Sequence, residues 1–278
     1  MQTSALSIGV FDSGMGGLTV LRALRDVLPL ESFIYLGDTA RLPYGTKSKQ
    51  TVQHYAIQMA QILIKRRIKA LVVACNTATT AALTVLQDML PDIPVLGVVL
   101  PGAAAAVAAT KNQHFAVLAT ETTVASQAYQ REIKTHLPNA IIHARACSVL
   151  VGLAEEGMVA NQVAREALLH YLSGITIEDT VLLGCTHFPV FKPLIQELLA
   201  DSVNIIDTSH ATALSLYASL VANGLLYEQS NPSVKYLVTD SVERFQSVGE
   251  IFLGAPLSMD SIEWVEIDQK KIPSVGAC

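Results

Sequence analysis

Two cysteines stand in matching surroundings. Cys75 closes the apolar run Ala70-Leu71-Val72-Val73-Ala74 and is followed by Asn76-Thr77-Ala78; Cys185 closes Val181-Leu182-Leu183-Gly184 and is followed by Thr186-His187. Each charge-free run reads as a strand buried on both faces, and helix-compatible segments follow at 79–90 and 191–200. A thiol at such a handover lies at the carboxyl end of a parallel sheet, where open α/β sheets bind ligands. Asn76 or Thr77 is expected to cap the first of these helices. The helix N-terminus is expected to lower the Cys75 pKa by favouring the thiolate. The competing explanation is a duplicated fold whose cysteines are inherited packing, since free cysteine is commonly buried.

The Cys185-x-His187 pair alone suggests a metal ligand set or a Cys-His hydrolase. No further ligands cluster nearby in sequence, which speaks against zinc. A hydrolase would use His187 to activate Cys185 and leave Cys75 idle. Two opposed sulfurs, one a thiol and one a thiolate, suit a different reaction. They can remove a proton from one face of a carbon and return one to the other face. Asp12 beside Cys75, and His187 beside Cys185, are placed to tune or shuttle those protons.

The remaining elements deliver polar groups to the same ends of strands. Residues 7–11 read as a strand, followed by Asp12-Ser13-Gly14-Met15-Gly16-Gly17 and a helix over 18–27. The turn is neither a P-loop nor a dinucleotide fingerprint, because no Gly-Lys-Ser/Thr follows and the third glycine is missing. It could cradle a carboxylate or phosphate on backbone N–H groups, with Asp12 or Ser13 capping the helix. A polar loop over 37–49 carries Asp38, Arg41 and Pro43-Tyr44-Gly45, and an amphipathic helix over 52–63 follows it. Another strand, 115–118, ends at Ala119-Thr120-Glu121-Thr122-Thr123. Glu155-Glu156 read as solvated helix charges and His170 as structural. Lys65-Arg66-Arg67 with Lys69 read as cations at a helix C-terminus.

The chain has 278 residues, 51% of them hydrophobic and 15% charged, with a net charge of −5. The length suggests two domains, and the acidic balance gives no general attraction to nucleic acid. Cys75, Cys147, Cys185 and Cys278 lie far apart without a CxxC pair, as expected in a reducing compartment. No signal peptide is apparent at the N-terminus. Residues 93–110 lack charge, but Pro94, Gly97, Pro101 and Gly102 favour a strand, turn and Ala-rich helix over a membrane span. A soluble cytoplasmic protein is expected. Strand and helix patterns alternate throughout, so the expected fold is α/β with two lobes, each a mostly parallel sheet flanked by helices.

Together, Val10-Phe11-Asp12-Ser13-Gly14-Met15-Gly16-Gly17-Leu18, Pro43-Tyr44-Gly45, Ala74-Cys75-Asn76-Thr77-Ala78 and Gly184-Cys185-Thr186-His187-Phe188-Pro189 closely resemble the glutamate racemases of the aspartate/glutamate racemase family. The resemblance covers nearly the whole chain. It implies cofactor-independent, two-base interconversion of L- and D-glutamate, which supplies D-glutamate for bacterial peptidoglycan, with no metal. It makes Cys75 and Cys185 the acid/base pair, assisted by Asp12, His187 and Glu155. Substrate contacts then fall on Asp12, Ser13, Tyr44, Gly45, Asn76, Thr77, Thr120, Thr123 and Thr186. The implied lobes are residues 1–97 plus 208–278, carrying Cys75, and 98–207, carrying Cys185, with the site between them. Glutamate is the implied partner, without nucleic acid or membrane, and a homodimer is allowed. The chain departs from the family pattern at Thr122, Ser148, Gly152 and Thr208-Ser209. Other readings are a racemase for another acidic amino acid such as aspartate, a non-catalytic amino-acid sensor, or a thiol amidase.

Overall fold

Charge-free Val- and Leu-rich runs alternate with amphipathic ones, and each run becomes a strand covered by helices on both faces. The computed structural model describes residues 3–227 and 231–267. Cys278 and the end of the first implied lobe lie outside these residues. In chain order come β1 (Ser7–Asp12), α1 (Leu18–Val27), β2 (Phe33–Gly37), α2 (Lys49–Lys65), β3 (Ile68–Val73), α3 (Asn76–Met89) and β4 (Val95–Gly97). Next, α4 (Val99–Ala109) leads into β5 (His114–Ala119), α5 (Glu121–Ser126), α6 (Ala128–His136), β6 (Ile141–Ala146) and α7 (Ser148–Glu155). They are followed by α8 (Gln162–Leu172), β7 (Thr180–Gly184), α9 (Lys192–Leu198) and β8 (Asn204–Asp207). Finally α10 (Thr208–Ala222) returns the chain to β9 (Val234–Val238), α11 (Val242–Leu253) and β10 (Ile262–Trp264).

The strands form two wholly parallel sheets, one ordered β10-β9-β2-β1-β3-β4 and the other β6-β5-β7-β8. Both share one winding logic. From β1 the chain steps to β2 on one side and then crosses back to β3 on the other; from β5 it steps to β6 and crosses back to β7. Each reversal opens a crevice at the carboxyl ends of the two flanking strands, where neighbouring connections leave in opposite directions. Register keeps those ends level. Phe11 pairs with Val73 in one sheet, and Ala119 with Gly184 in the other. The residues just beyond are Asp12, Cys75, Thr120 and Cys185.

One buried cluster joins the two halves. Val10, Leu18 and Leu21 belong to it, together with Leu216 and Leu220 of α10, Leu150 of α7 and Phe188. Helix α10 packs against both α1 and α4 and so ties the sheets together.

Three local expectations change. Lys69 is no helix-terminal cation. It lies inside β3, fully buried, with its ammonium 2.6 Å from Glu31 Oε2 and donating to the carbonyls of Ser4 and Leu225. A buried charge survives only when paired and hydrogen-bonded, and the fold supplies both from distant segments. The cap of α3 is Cys75 itself, not Asn76 or Thr77, which already lie within the helix. The cap of α1 is Gly17, without a side-chain hydrogen bond, rather than Asp12 or Ser13. The uncharged run 93–110 divides into β4 and α4, and among the described residues no helix is long and apolar enough to cross a membrane.

Candidate active site

The β1–α1 turn brings three groups into the first crevice. Asp12 is fully buried; its Oδ2 accepts from the Gly14 N–H at 2.9 Å, and its Oδ1 accepts from the Thr186 hydroxyl at 3.3 Å. The glycines therefore serve close approach to side chains of the protein itself. A Cβ on Gly17 would lie 2.5 Å from Asp12 Cβ, and one on Gly16 would lie 2.5 Å from His187 Nδ1. Burial raises the Asp12 pKa, against the opposing charge of His187 and the N–H groups of Gly17 and Gly14. The turn is locked from the other crevice too, because Thr19 Oγ1 donates to the Thr186 carbonyl at 3.1 Å.

Cys75 occupies the end of β3. Its thiol donates to Ser13 Oγ at 3.7 Å, and its sulfur accepts from the Ala78 N–H at 3.4 Å. The helix terminus does not lower this thiol's pKa as expected. Burial comes first and the nearby Asp12 carboxylate second, and together they push Cys75 up to about 12 despite the Ala78 and Ser13 hydrogen bonds. Desolvation of a thiolate outweighs a single helix end.

Cys185 occupies the end of β7, equally buried, and its neighbours differ. Its sulfur stands 3.8 Å from His187 Nδ1, and His187 Nε2 lies 3.0 Å from Glu155 Oε1. Burial works against the imidazolium, but the hydrogen bonds to Cys185 and Glu155 outweigh it and hold His187 up at about 10. Phe252 of α11 closes over the ring edge-on, with centroids 5.2 Å apart. Glu155 is thus no solvated helix charge. It is buried at the end of α7, whereas Glu156 is exposed and pairs with Arg244 at 2.8 Å.

A cluster of hydroxyls joins the strand ends of the two sheets. Thr77 Oγ1 is 2.9 Å from Thr120 Oγ1 and 3.3 Å from Thr123 Oγ1, and Thr120 donates to Thr123 at 3.0 Å. All three are buried, and they come from both sheets. Gly45 presses on Thr120, since a Cβ there would lie 2.7 Å from Thr120 Cβ. Thr122, a departure from the family pattern, ties the loop down by donating to the carbonyls of Gly45 at 2.9 Å and Lys47 at 3.1 Å. Tyr44 is buried, but its hydroxyl is committed to Asp38.

All thirteen residues singled out in the sequence thus lie at or around the facing crevices. Sequence reasoning missed Tyr129, Phe252, Thr19 and Tyr35, whose hydroxyl donates to the Gly14 carbonyl at 2.9 Å. Each looks like ordinary helix or strand filling, and its partner lies far away in sequence. Among the described residues, no group of three or more His, Cys, Asp and Glu is arranged to hold a metal ion.

Known proteins resemble this chain in both sequence and fold. A glutamate racemase from Neisseria meningitidis is 42% identical over 263 residues, covering 94% of this chain and 96% of its own. The glutamate racemase structure from Bacillus anthracis superposes with a TM-score of 0.89 at 37% identity, covering 94% of this chain and 98% of that one. That from Francisella tularensis, solved with D-glutamate, gives 0.87 at 37% identity, covering 95% and 99%. The family model for Asp/Glu/hydantoin racemases matches residues 18–216, and the chain belongs to that family.

Proposed function

We propose that this protein interconverts L- and D-glutamate by cofactor-independent, two-base proton transfer and so supplies D-glutamate for bacterial peptidoglycan. The observation that carries the reading is the placement of two buried thiols at equivalent crevices of two sheets, whose strand ends are joined by the Thr186–Asp12 and Thr77–Thr120 hydrogen bonds. One sulfur, as thiolate, takes the α-proton and becomes a thiol. The other, as thiol, gives its proton to the opposite face and becomes a thiolate. Cys75, held up at about 12, is the sulfur that carries its proton at rest. Cys185 faces an imidazolium that offers a counter-charge to a thiolate formed there. The enzyme returns to its starting state when the reverse transfer runs or when the protons redistribute through Asp12 and His187.

No arginine stands among the site residues. The carboxylates of an amino acid would be held by the hydroxyls of Ser13, Thr77, Thr120, Thr123 and Thr186, by the Asn76 amide, and by backbone N–H groups including Gly45. The division into residues 1–97 plus 208–278 and 98–207 is part of this proposal, supported by β4 ending at Gly97 and β8 at Asp207. So are a cytoplasmic location and a homodimer. The exposed Leu214, Tyr217 and Val221, spaced along one face of α10, support the latter.

L-Glutamate incubated with the purified protein in deuterated water, without pyridoxal phosphate or added metal, should yield D-glutamate deuterated at the α-carbon. Unchanged optical rotation with folded protein overturns the reading. Faster exchange of L-aspartate than of L-glutamate would move the substrate to the shorter acid.

A further inference from the structure

Tyr129 stands outside every motif discussed so far, yet it touches both halves of the site. It begins α6, which belongs to the four-stranded sheet's half, and it is 1% exposed. Its hydroxyl donates to Asn76 Oδ1 at 2.5 Å, on the other half and adjacent to Cys75. Its ring lies against Gly184, directly before Cys185, where an added Cβ would sit 2.9 Å from Tyr129 Cε2.

The ring belongs to a buried apolar cluster with Val99, Phe115 and Ile133, so its bulk is explained by packing. The hydroxyl is not. A buried phenol beside one carboxamide fixes which way that amide faces. With Tyr129 as donor, Asn76 presents its oxygen to the phenol and leaves only Nδ2 without a partner. The reversed amide would leave both the phenolic proton and the amide oxygen unpaired, at a greater desolvation cost. Burial and nearby charge on Cys185 raise the Tyr129 pKa, so the phenol stays a donor. Asn76 is itself 2% exposed, and a buried NH₂ without an acceptor is a group that an incoming oxygen would satisfy.

We propose that Tyr129 is a positioning residue for racemisation: its hydroxyl, donated to Asn76 Oδ1, turns the Asn76 NH₂ toward a carboxylate oxygen of the bound amino acid. This rests on the racemase reading. It adds that the half carrying Cys185 orients a substrate donor on the half carrying Cys75, so the donor is correctly aimed only when the halves are together.

The test is a double-mutant cycle on the full chain, with Tyr129→Phe, Asn76→Ala and the pair, read as KM and kcat for both enantiomers of glutamate. Tyr129→Phe should raise KM about tenfold while changing kcat much less, with its thermal midpoint within a few degrees of the unmodified protein. In the Asn76→Ala background the same change should cost less than about twofold, because the group being oriented is gone. Unaltered KM in Tyr129→Phe overturns the assignment, as does an equal loss with and without Asn76, which would mark a purely structural role. Turnover by the unmodified protein separates these outcomes from failure of the racemase reading itself, and its absence overturns both.

Discussion

The corners around Cys75 and Cys185 are alike in sequence and opposite in electrostatics. Each sulfur follows a central parallel strand, is about 5% exposed and precedes a helix. Around Cys75 stand a carboxylate and a hydroxyl; around Cys185 stands an imidazolium backed by a second carboxylate. The difference comes from partners delivered by other parts of the chain: Asp12 and Ser13 from β1, and Glu155 from α7. Cys147 makes the contrast sharper. It too is buried and pushed up to about 12, yet its thiol only donates to the Arg145 carbonyl at 3.5 Å. A raised pKa therefore marks burial. What sets Cys75 apart is its partners, since Ser13 and the Ala78 N–H meet its sulfur and Asp12 stands nearby.

The strongest way to break this comparison is to remove one sulfur at a time. Cys75→Ser and Cys185→Ser should each reduce turnover about 10³-fold or more, because neither corner can perform both transfers. Polarimetry checks this, and substantial racemisation in either variant would end the symmetry of roles.

Next in size is the support for the Cys185 corner. Glu155 helps to raise the His187 pKa, so Glu155→Gln leaves only Cys185 to oppose burial and moves it down from about 10. The alkaline fall in kcat/KM should shift to lower pH. At about pH 8 the variant should lose about tenfold against the unmodified protein, and at about pH 6 the two should converge. The stability carried by His187 follows the same sign. It is fully present below the ordinary value of 6.5 and is lost as pH rises through about 10, which urea unfolding across that range measures.

A smaller effect is expected at Gly16, where the new methyl of Gly16→Ala meets the His187 ring and Thr186 Oγ1. Overpacking should cost about 1–3 kcal/mol in thermal unfolding and should weaken turnover by displacing His187 from Cys185. The smallest effect belongs to Cys147→Ala. Activity should be unchanged while stability falls by about 1 kcal/mol, the loss of a small buried group. A large activity loss there would mean that burial of a thiol matters beyond its partners.

Much of the molecule was legible from local pattern. The strands that end at the candidate residues were readable because burial on both faces favours runs of Val, Leu, Ile, Ala and Phe, with Lys69 the one charge inside them. The helices over 18–27 and 52–63 were readable from their spacing. The candidate residues were legible because strand ends in parallel sheets collect small and polar residues. Three of the errors share one cause. Lys69 reads as a helix-end cation until Glu31 is found beside it, Glu155 reads as solvated until His187 is found, and Tyr129 carries no signal until Asn76 is found. None of these contacts has a sequence period, because each joins segments folded together from a distance.

By itself, then, the sequence determined which segments are buried strands, which residues sit at their carboxyl ends, and that two thiols occupy equivalent positions. These follow from local propensity and hydrophobic periodicity. Only the tertiary structure decided that burial and Asp12 raise the Cys75 pKa, that Cys185 and Glu155 hold the His187 pKa up, and which distant side chains reach the groups at the strand ends. Protonation in a buried site is set by desolvation and by charges a few ångströms away, and those neighbours are chosen by the way two sheets face each other.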